Sequence, residues 1–179
     1  VTVLAALRAY GAHPDPTTRI ANTIALLVGF NGPFYPAYVW LIVPEAGPAA
    51  LFTMALSPAF LAIPWLSRRS AQAARAALPV LGLLNTVWTA LLLGPATGVG
   101  VFAYPCIALA GLCWREPSLM VVLIGAGLVA QQTLLWMPLD ALSGLELSSQ
   151  VLLESLNMSS VGMLIAFLII IVSREMRAA

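Results

Sequence analysis

The chain has 179 residues, of which 61% are hydrophobic and only 8% charged; the charges are eight arginines, no lysine and seven acidic residues. A typical globular domain is about half apolar and about a quarter charged, so these few charges cannot coat a water-soluble body of this size and a soluble domain is excluded. The net charge of +1, with no basic cluster, also argues against a nucleic-acid partner.

Residues 1–20 read as a cytoplasmic lead, since they lack a signal peptide's apolar core and contain Pro14 and Pro16. Six apolar segments follow over 21–173, each near the roughly 20 residues needed to cross a bilayer. The first, 21–43, carries Gly29, Gly32, Pro33 and Pro36, which predict a kink or local unwinding. Asn31, Tyr35 and Tyr38 lie from its midpoint outwards. The second, 48–66, contains Pro58. The third, 76–94, holds Asn85 and Thr89 four apart, with Trp88 beside them. Gly94-Pro95-Ala96-Thr97-Gly98 predicts an outer turn into the fourth and shortest segment, 97–114, where Tyr104, Pro105 and Cys106 sit mid-span. The fifth, 118–138, has Gln131 and Gln132 in its outer half. The sixth, 150–173, begins with Gln150, Glu154, Asn157, Ser159 and Ser160 and continues as an apolar run from Val161 to Val172. Residues 174–179 read as the start of a cytoplasmic linker.

With the N-terminus inside, every basic residue (Arg8, Arg19, Arg68, Arg69, Arg75, Arg115, Arg174, Arg177) falls on inner segments, while Glu45, Asp140 and Glu146 lie outside. Positive residues mark the cytoplasmic side. Trp40 and Trp136 fall near outer ends and Trp65 and Trp114 near inner ends, as an aromatic belt requires. The expectation is an all-α polytopic membrane bundle of six transmembrane helices with both termini cytoplasmic.

Polar groups inside the membrane are where function should show, and most gather between the midplane and the outer face. They point to a pocket opening outward and suited to a small, mostly apolar ligand. Its candidate ligand-binding residues are Asn31, Tyr35, Tyr38, Asn85, Trp88, Tyr104, Gln131, Gln132, Glu154 and Asn157. The competing reading is that these groups join helices to one another, their common role in bundles. Gln150, Glu154 and Asn157 share one helical face. Glu154, about one turn inside the outer end, is either a ligand or proton site or snorkels to the interface.

Catalytic chemistry is missing. His13, the only histidine, lies in the lead, so neither a haem held by paired histidines nor a triad nor a histidine metal site can be assembled. Cys106 and Cys113 are seven apart, about 10 Å along a helix, which is too far for a disulfide. No phosphate-cradling loop is present. The sequence predicts neither an enzyme nor a cofactor.

Phe34-Tyr35-Pro36-Ala37-Tyr38-Val39-Trp40, followed by Pro44-Glu45, resembles the aromatic and proline run of the six-helix membrane sensor domains of bacterial quorum-sensing histidine kinases that detect α-hydroxyketones. Related membrane anchors occur in nucleotide cyclases. The short first outer turn, the Arg-bearing link after the second span and Arg115-Glu116-Pro117 are similar in layout. The resemblance implies a receptor of the bacterial inner membrane that binds a small amphipathic signal and relays through the last helix. That helix leaves the membrane as Ser173-Arg174-Glu175-Met176-Arg177, and the kinase or cyclase would lie beyond Ala179. A homodimer or larger membrane assembly is the default partner arrangement, besides the lipid bilayer itself.

Two other readings remain. A non-catalytic accessory or structural subunit of a larger membrane complex would use small-residue stripes such as Gly125-Ala126-Gly127 against neighbouring chains. A small-solute transporter needs an inward path and paired broken spans, and the apolar inner halves of the fifth and sixth spans offer none.

Overall fold

The computed structural model describes residues 2–113, 117–136 and 142–178, and every regular element among them is helical. Trp114, Arg115, Glu116 and Asp140 lie outside the described residues, as does the side chain of Cys113.

The N-terminal lead contains a helix of its own. Helix α1, Val3–Gly11, packs on the end of the bundle: the Tyr10 hydroxyl donates to the Leu61 carbonyl at 2.9 Å, and Gly11 is buried. Helix α2, Pro16–Asn31, starts where sequence chemistry favours it. Asp15 accepts from the Thr18 N–H at 2.9 Å as its N-cap, and Pro16 supplies a first-turn residue that needs no N–H partner.

The kink predicted in the first span falls at Gly32–Pro33, between α2 and α3, Phe34–Ile42. Gly32 is required there, because a Cβ would come within 1.7 Å of Ser57 Oγ. The second span is not one helix. It divides into α4, Gly47–Phe52, and α5, Ser57–Ser67, with hydrogen-bonded turns between. Pro58 therefore occupies the first turn of α5 instead of kinking a continuous span, which is where a missing N–H costs nothing. Helix α6, Ala71–Leu93, is capped by Ser70, which accepts from the Ala73 N–H at 3.2 Å.

The expected fourth span differs most. Residues 95–102 form two short 3₁₀ turns, Pro95–Thr97 and Val99–Phe102, joined at Gly98 in the left-handed conformation (φ 71°). Only α7, Ala103–Cys113, is α-helical. Helices α8, Pro117–Trp136, and α9, Leu147–Ala178, complete the bundle. Five helical stretches are long and apolar enough to cross a membrane: Pro16–Ile42, Pro44–Ser67, Ala71–Leu93, Pro117–Trp136 and Leu147–Arg174. Val99–Gly111 is apolar but shorter.

The bundle has two chemically distinct ends. At one, Arg75 pairs with Asp15 at 3.0 Å and the Arg19 guanidinium donates to the His13 carbonyl at 3.2 Å. There too Arg68 lies 5.3 Å from the Tyr10 ring centroid and Arg69 4.3 Å from that of Trp65. At the other end Ser149 donates to the Glu45 carboxylate. Backbone hydrogen bonds from Leu142 and Ser143 to the carbonyls of Leu91 and Leu92 place the start of the α9 segment beside the end of α6. An apolar cluster fills each end. Ala21, Ile63, Ala74, Leu78 and Leu168 pack towards the arginine-bearing end, and Val39, Val43, Leu92, Leu93 and Leu153 towards the other.

Candidate functional site

Between the two apolar clusters the helices line a cavity of about 340 Å³. That lies in the range of small-molecule sites, roughly 300–1,000 Å³. Each wall is a stripe at helical spacing. Helix α6 contributes Leu78, Gly82, Asn85, Thr86 and Thr89, and α9 contributes Ser160, Met163, Leu164 and Phe167. The α2–α3 pair contributes Ile24, Leu27, Val28 and Asn31, then Tyr35 and Tyr38 beyond the kink. Phe102, Pro105, Cys106 and Leu109 form the wall at α7.

From Leu78 to Thr89 the cavity follows about 16 Å of α6 at 1.5 Å per residue. Its two ends differ. Ile24, Leu78, Leu109 and Phe167 make an apolar base towards the arginine-bearing end. Asn31, Tyr38, Asn85, Thr89 and Ser160 put amides and hydroxyls higher up. Among the described residues no charged side chain lines it. The lining is complementary in chemistry to an uncharged molecule with an apolar chain and a hydrogen-bonding head.

A close helix approach shapes the middle of the back wall. A Cβ on Gly82 would sit 2.4 Å from Cys106 Sγ, so glycine lets α7 approach α6 there. The Cys106 thiol donates to the Phe102 carbonyl at 3.2 Å, and the Thr86 hydroxyl donates to the Gly82 carbonyl at 2.9 Å. The Asn31 and Asn85 amides, by contrast, have no hydrogen-bond partner among the described residues.

Of the sequence-predicted residues, Asn31, Tyr35, Tyr38 and Asn85 line this cavity. Asn157 lies just beyond it and is fully buried. Its Oδ1 accepts from the Tyr35 hydroxyl at 2.8 Å and its Nδ2 donates to the Thr97 carbonyl at 2.8 Å, tying α9 to α3 and to the turn after α6. The Tyr35 ring meets Phe102 edge-on at 6.5 Å.

The other five lie elsewhere. Trp88 donates from its indole N–H to the Phe52 carbonyl at 2.8 Å, joining α6 to α4. Tyr104 is exposed. Gln131 is buried against Gly100, and its Oε1 lacks a partner among the described residues. Gln132 is exposed and accepts from Trp136 Nε1 at 3.2 Å. Glu154 is exposed, and its side chain packs on Gly98.

The expected outward opening also differs from the structure, because the end opposite the arginines is filled by the cluster around Val39, Leu93 and Leu153. Residues absent from the predicted set but lining the cavity include Thr86, Ser160 and Phe167. Thr86 was legible as part of the Gly82-Asn85-Thr86-Thr89 stripe. Phe167 lies in an unbroken apolar run, which gives no signal for one face over another.

Among the described residues no group of three or more His, Cys, Asp or Glu side chains is placed to hold a metal ion. Comparison with protein-family models, with curated proteins and with solved structures finds no match to this chain.

Proposed function

We propose that this chain is the membrane input domain of a receptor, binding a small uncharged amphipathic molecule in the central cavity. The observation that carries this reading is the unpartnered Asn85 amide, set with Thr89 and Ser160 above an apolar base in a space large enough for such a molecule. Helix α9 supports the relay: it lines the cavity from Ser160 to Phe167 and extends to Arg174 and Arg177.

The reading includes six passes with both termini cytoplasmic in a bacterial inner membrane. The α6 end lies beside the start of the α9 segment. On this reading α8 begins at the arginine-bearing end and 99–113 makes the return crossing. Four 3₁₀ residues and eleven α-helical ones span about 25 Å, close to a core of about 30 Å. The sensor-like aromatic run of the first span falls on α3, where Tyr35 and Tyr38 line the cavity. An α-hydroxyketone-like signal, a fused kinase or cyclase output and a homodimer belong to this proposal.

Thermal unfolding of the purified protein against a series of medium-chain ketones and alcohols tests it. A ligand at a hundred times its Kd stabilises by about 2.7 kcal/mol. The expected result is a rise in Tm for the native chain that vanishes in Thr86→Trp, which fills the cavity. No shift with any member of the series overturns the reading.

An accessory subunit is the second reading, favoured by the α8 surface. Gly127 is taken up inside the chain, since a Cβ there would meet Ile107 at 2.5 Å, but Gly125 has open space around it. A partner helix packing on Gly125 would abolish association when Gly125→Leu is introduced, with no effect on ligand-induced stabilisation.

A further inference from the structure

The cavity has a closed back and an open front. On α6 and α7, Leu78, Thr86, Thr89 and Leu109 are at most 5% exposed. On the facing side Leu27 is 36%, Met163 59% and Phe167 50% exposed, although they line the same space. These residues belong to α2 and α9. The two apolar clusters close the cavity towards both ends of the bundle.

Helices α2–α3 and α9 meet on either side of this opening. Towards the outer end the Tyr35 hydroxyl donates to Asn157 at 2.8 Å, and towards the inner end Leu168 joins Ala21 and Ile24 in one packed cluster. Between those contacts Leu27 and Asn31 stand on one edge and Met163 and Phe167 on the other. Leu27 is about 17 Å along α2 from Pro16, and Phe167 about 15 Å along α9 from Asn157. The gap therefore lies at the depth of the lipid chains. Asn31 sits exposed at its edge, and its amide lacks a partner among the described residues. An amide facing hydrocarbon without a partner is costly and in membrane proteins marks a functional path.

The geometry points to a lateral portal: the ligand leaves the bilayer sideways between α2 and α9, its polar head passing Asn31, and does not enter from water at either end. This inference rests on the receptor reading and adds the route. An uncharged molecule with an apolar chain partitions into lipid first, so a side opening meets it where it is concentrated.

The test uses Leu27→Cys/Met163→Cys in a background with Cys106 and Cys113 replaced by alanine, reconstituted in lipid nanodiscs. A cleavable, flexible bifunctional thiol reagent ties the two edges, and a tritiated medium-chain methyl ketone is the probe. Relative to the same double-cysteine protein before the reagent is added, tying the edges should slow association and dissociation alike, each by about tenfold or more, and cleaving the reagent should restore both rates. Asn31→Leu, which needs no crosslink, should slow association several-fold. Unchanged rates in the crosslinked protein, with binding still lost in Thr86→Trp, overturn the portal while leaving the cavity as the site. If the probe binds equally well to Thr86→Trp, or does not bind the native chain, the receptor reading falls and the portal with it.

Discussion

Asn157 decides between two roles for the polar residues of the last helix, and a double-mutant cycle with Tyr35 measures which one it plays. Both of its amide atoms are used: Oδ1 by the Tyr35 hydroxyl and Nδ2 by the Thr97 carbonyl, each at 2.8 Å. Both Asn157 and Thr97 are fully buried, so water cannot replace a lost partner. A net hydrogen bond in a soluble protein contributes about 0.5–1.5 kcal/mol. Those between membrane helices average about 0.6 and reach about 1.7 kcal/mol, because the unfolded chain in lipid also finds partners.

Tyr35→Phe removes one bond and should cost about 1 kcal/mol. Asn157→Leu removes two and leaves the Thr97 carbonyl unpaired, so it should cost about 2–3 kcal/mol. The coupling between the two substitutions should lie between about 0.6 and about 1.7 kcal/mol. Reversible unfolding in bicelles by added dodecyl sulfate, followed by tryptophan fluorescence, measures all four corners. A coupling below about 0.3 kcal/mol is within additivity error and refutes the pin. So would equal costs for the two single substitutions, since Asn157 would then hold one partner and not two.

Three further outcomes are expected. Gly82→Ala should destabilise by about 1–3 kcal/mol through overpacking on Cys106 Sγ; adding Cys106→Ala should recover most of it in thermal unfolding, and no recovery refutes the contact. Asp15→Ala loses both the α2 cap and the partly exposed Arg75 pair, about 1–2 kcal/mol together, whereas Asp15→Asn keeps the cap and should lose under about 1 kcal/mol. Equal losses in bicelle unfolding refute the cap. In a background with Cys106 and Cys113 replaced, a membrane-impermeant maleimide applied to intact cells should label Ser148→Cys and leave Gln72→Cys unlabelled; the reverse pattern refutes the orientation.

The membrane-length helices were legible because lipid acts on every residue of a span at once: apolar runs bounded by charge or by Gly and Pro give length directly. Breaks inside the runs were harder to place. Ser57-Pro58 is a helix-start signal, but inside the apolar stretch 48–66 it reads equally as a kink, and only the packing of Gly32 on Ser57 places a break there. The 97–114 segment is apolar enough for a span, yet Gly98 at φ 71° forces a turn that hydropathy does not register.

The site was legible in depth but not in azimuth. At 100° per residue, Trp88 points about 90° away from the centre of the Leu78-Gly82-Asn85-Thr89 stripe although it neighbours Thr89 in sequence. It serves α4 instead. Gln131 lies at a suitable depth but faces Gly100 on the far side of the α7 segment. Reading the polar residues as stripes along each helix, instead of as a band at one depth, would have retained Asn85 and added Thr86.

Depth had a second meaning that the sequence concealed. Helix joining by itself gives no reason for polar groups to prefer one half of the bilayer. The structure supplies such a reason: backbone carbonyls are freed where helices end. Trp88 donates to the carbonyl of Phe52 at the end of α4, Asn157 to that of Thr97 after a 3₁₀ turn, and Gln150 to that of Leu145 ahead of α9. In a medium without water each freed carbonyl needs a donor, so side-chain amides and indoles gather beside broken backbone. The broken backbone of the 94–102 segment lies towards the end of the bundle opposite the arginines. That need accounts for Trp88, Asn157 and Gln150 with no ligand at all. It does not account for Asn31, Asn85, Thr89 and Ser160, which converge on one space and whose side chains find no partner among the described residues. On the receptor reading proposed above, convergence of unpartnered groups on one cavity, not depth and not a missing hydrogen bond alone (Gln131 Oε1 lacks one too), marks the candidate binding residues.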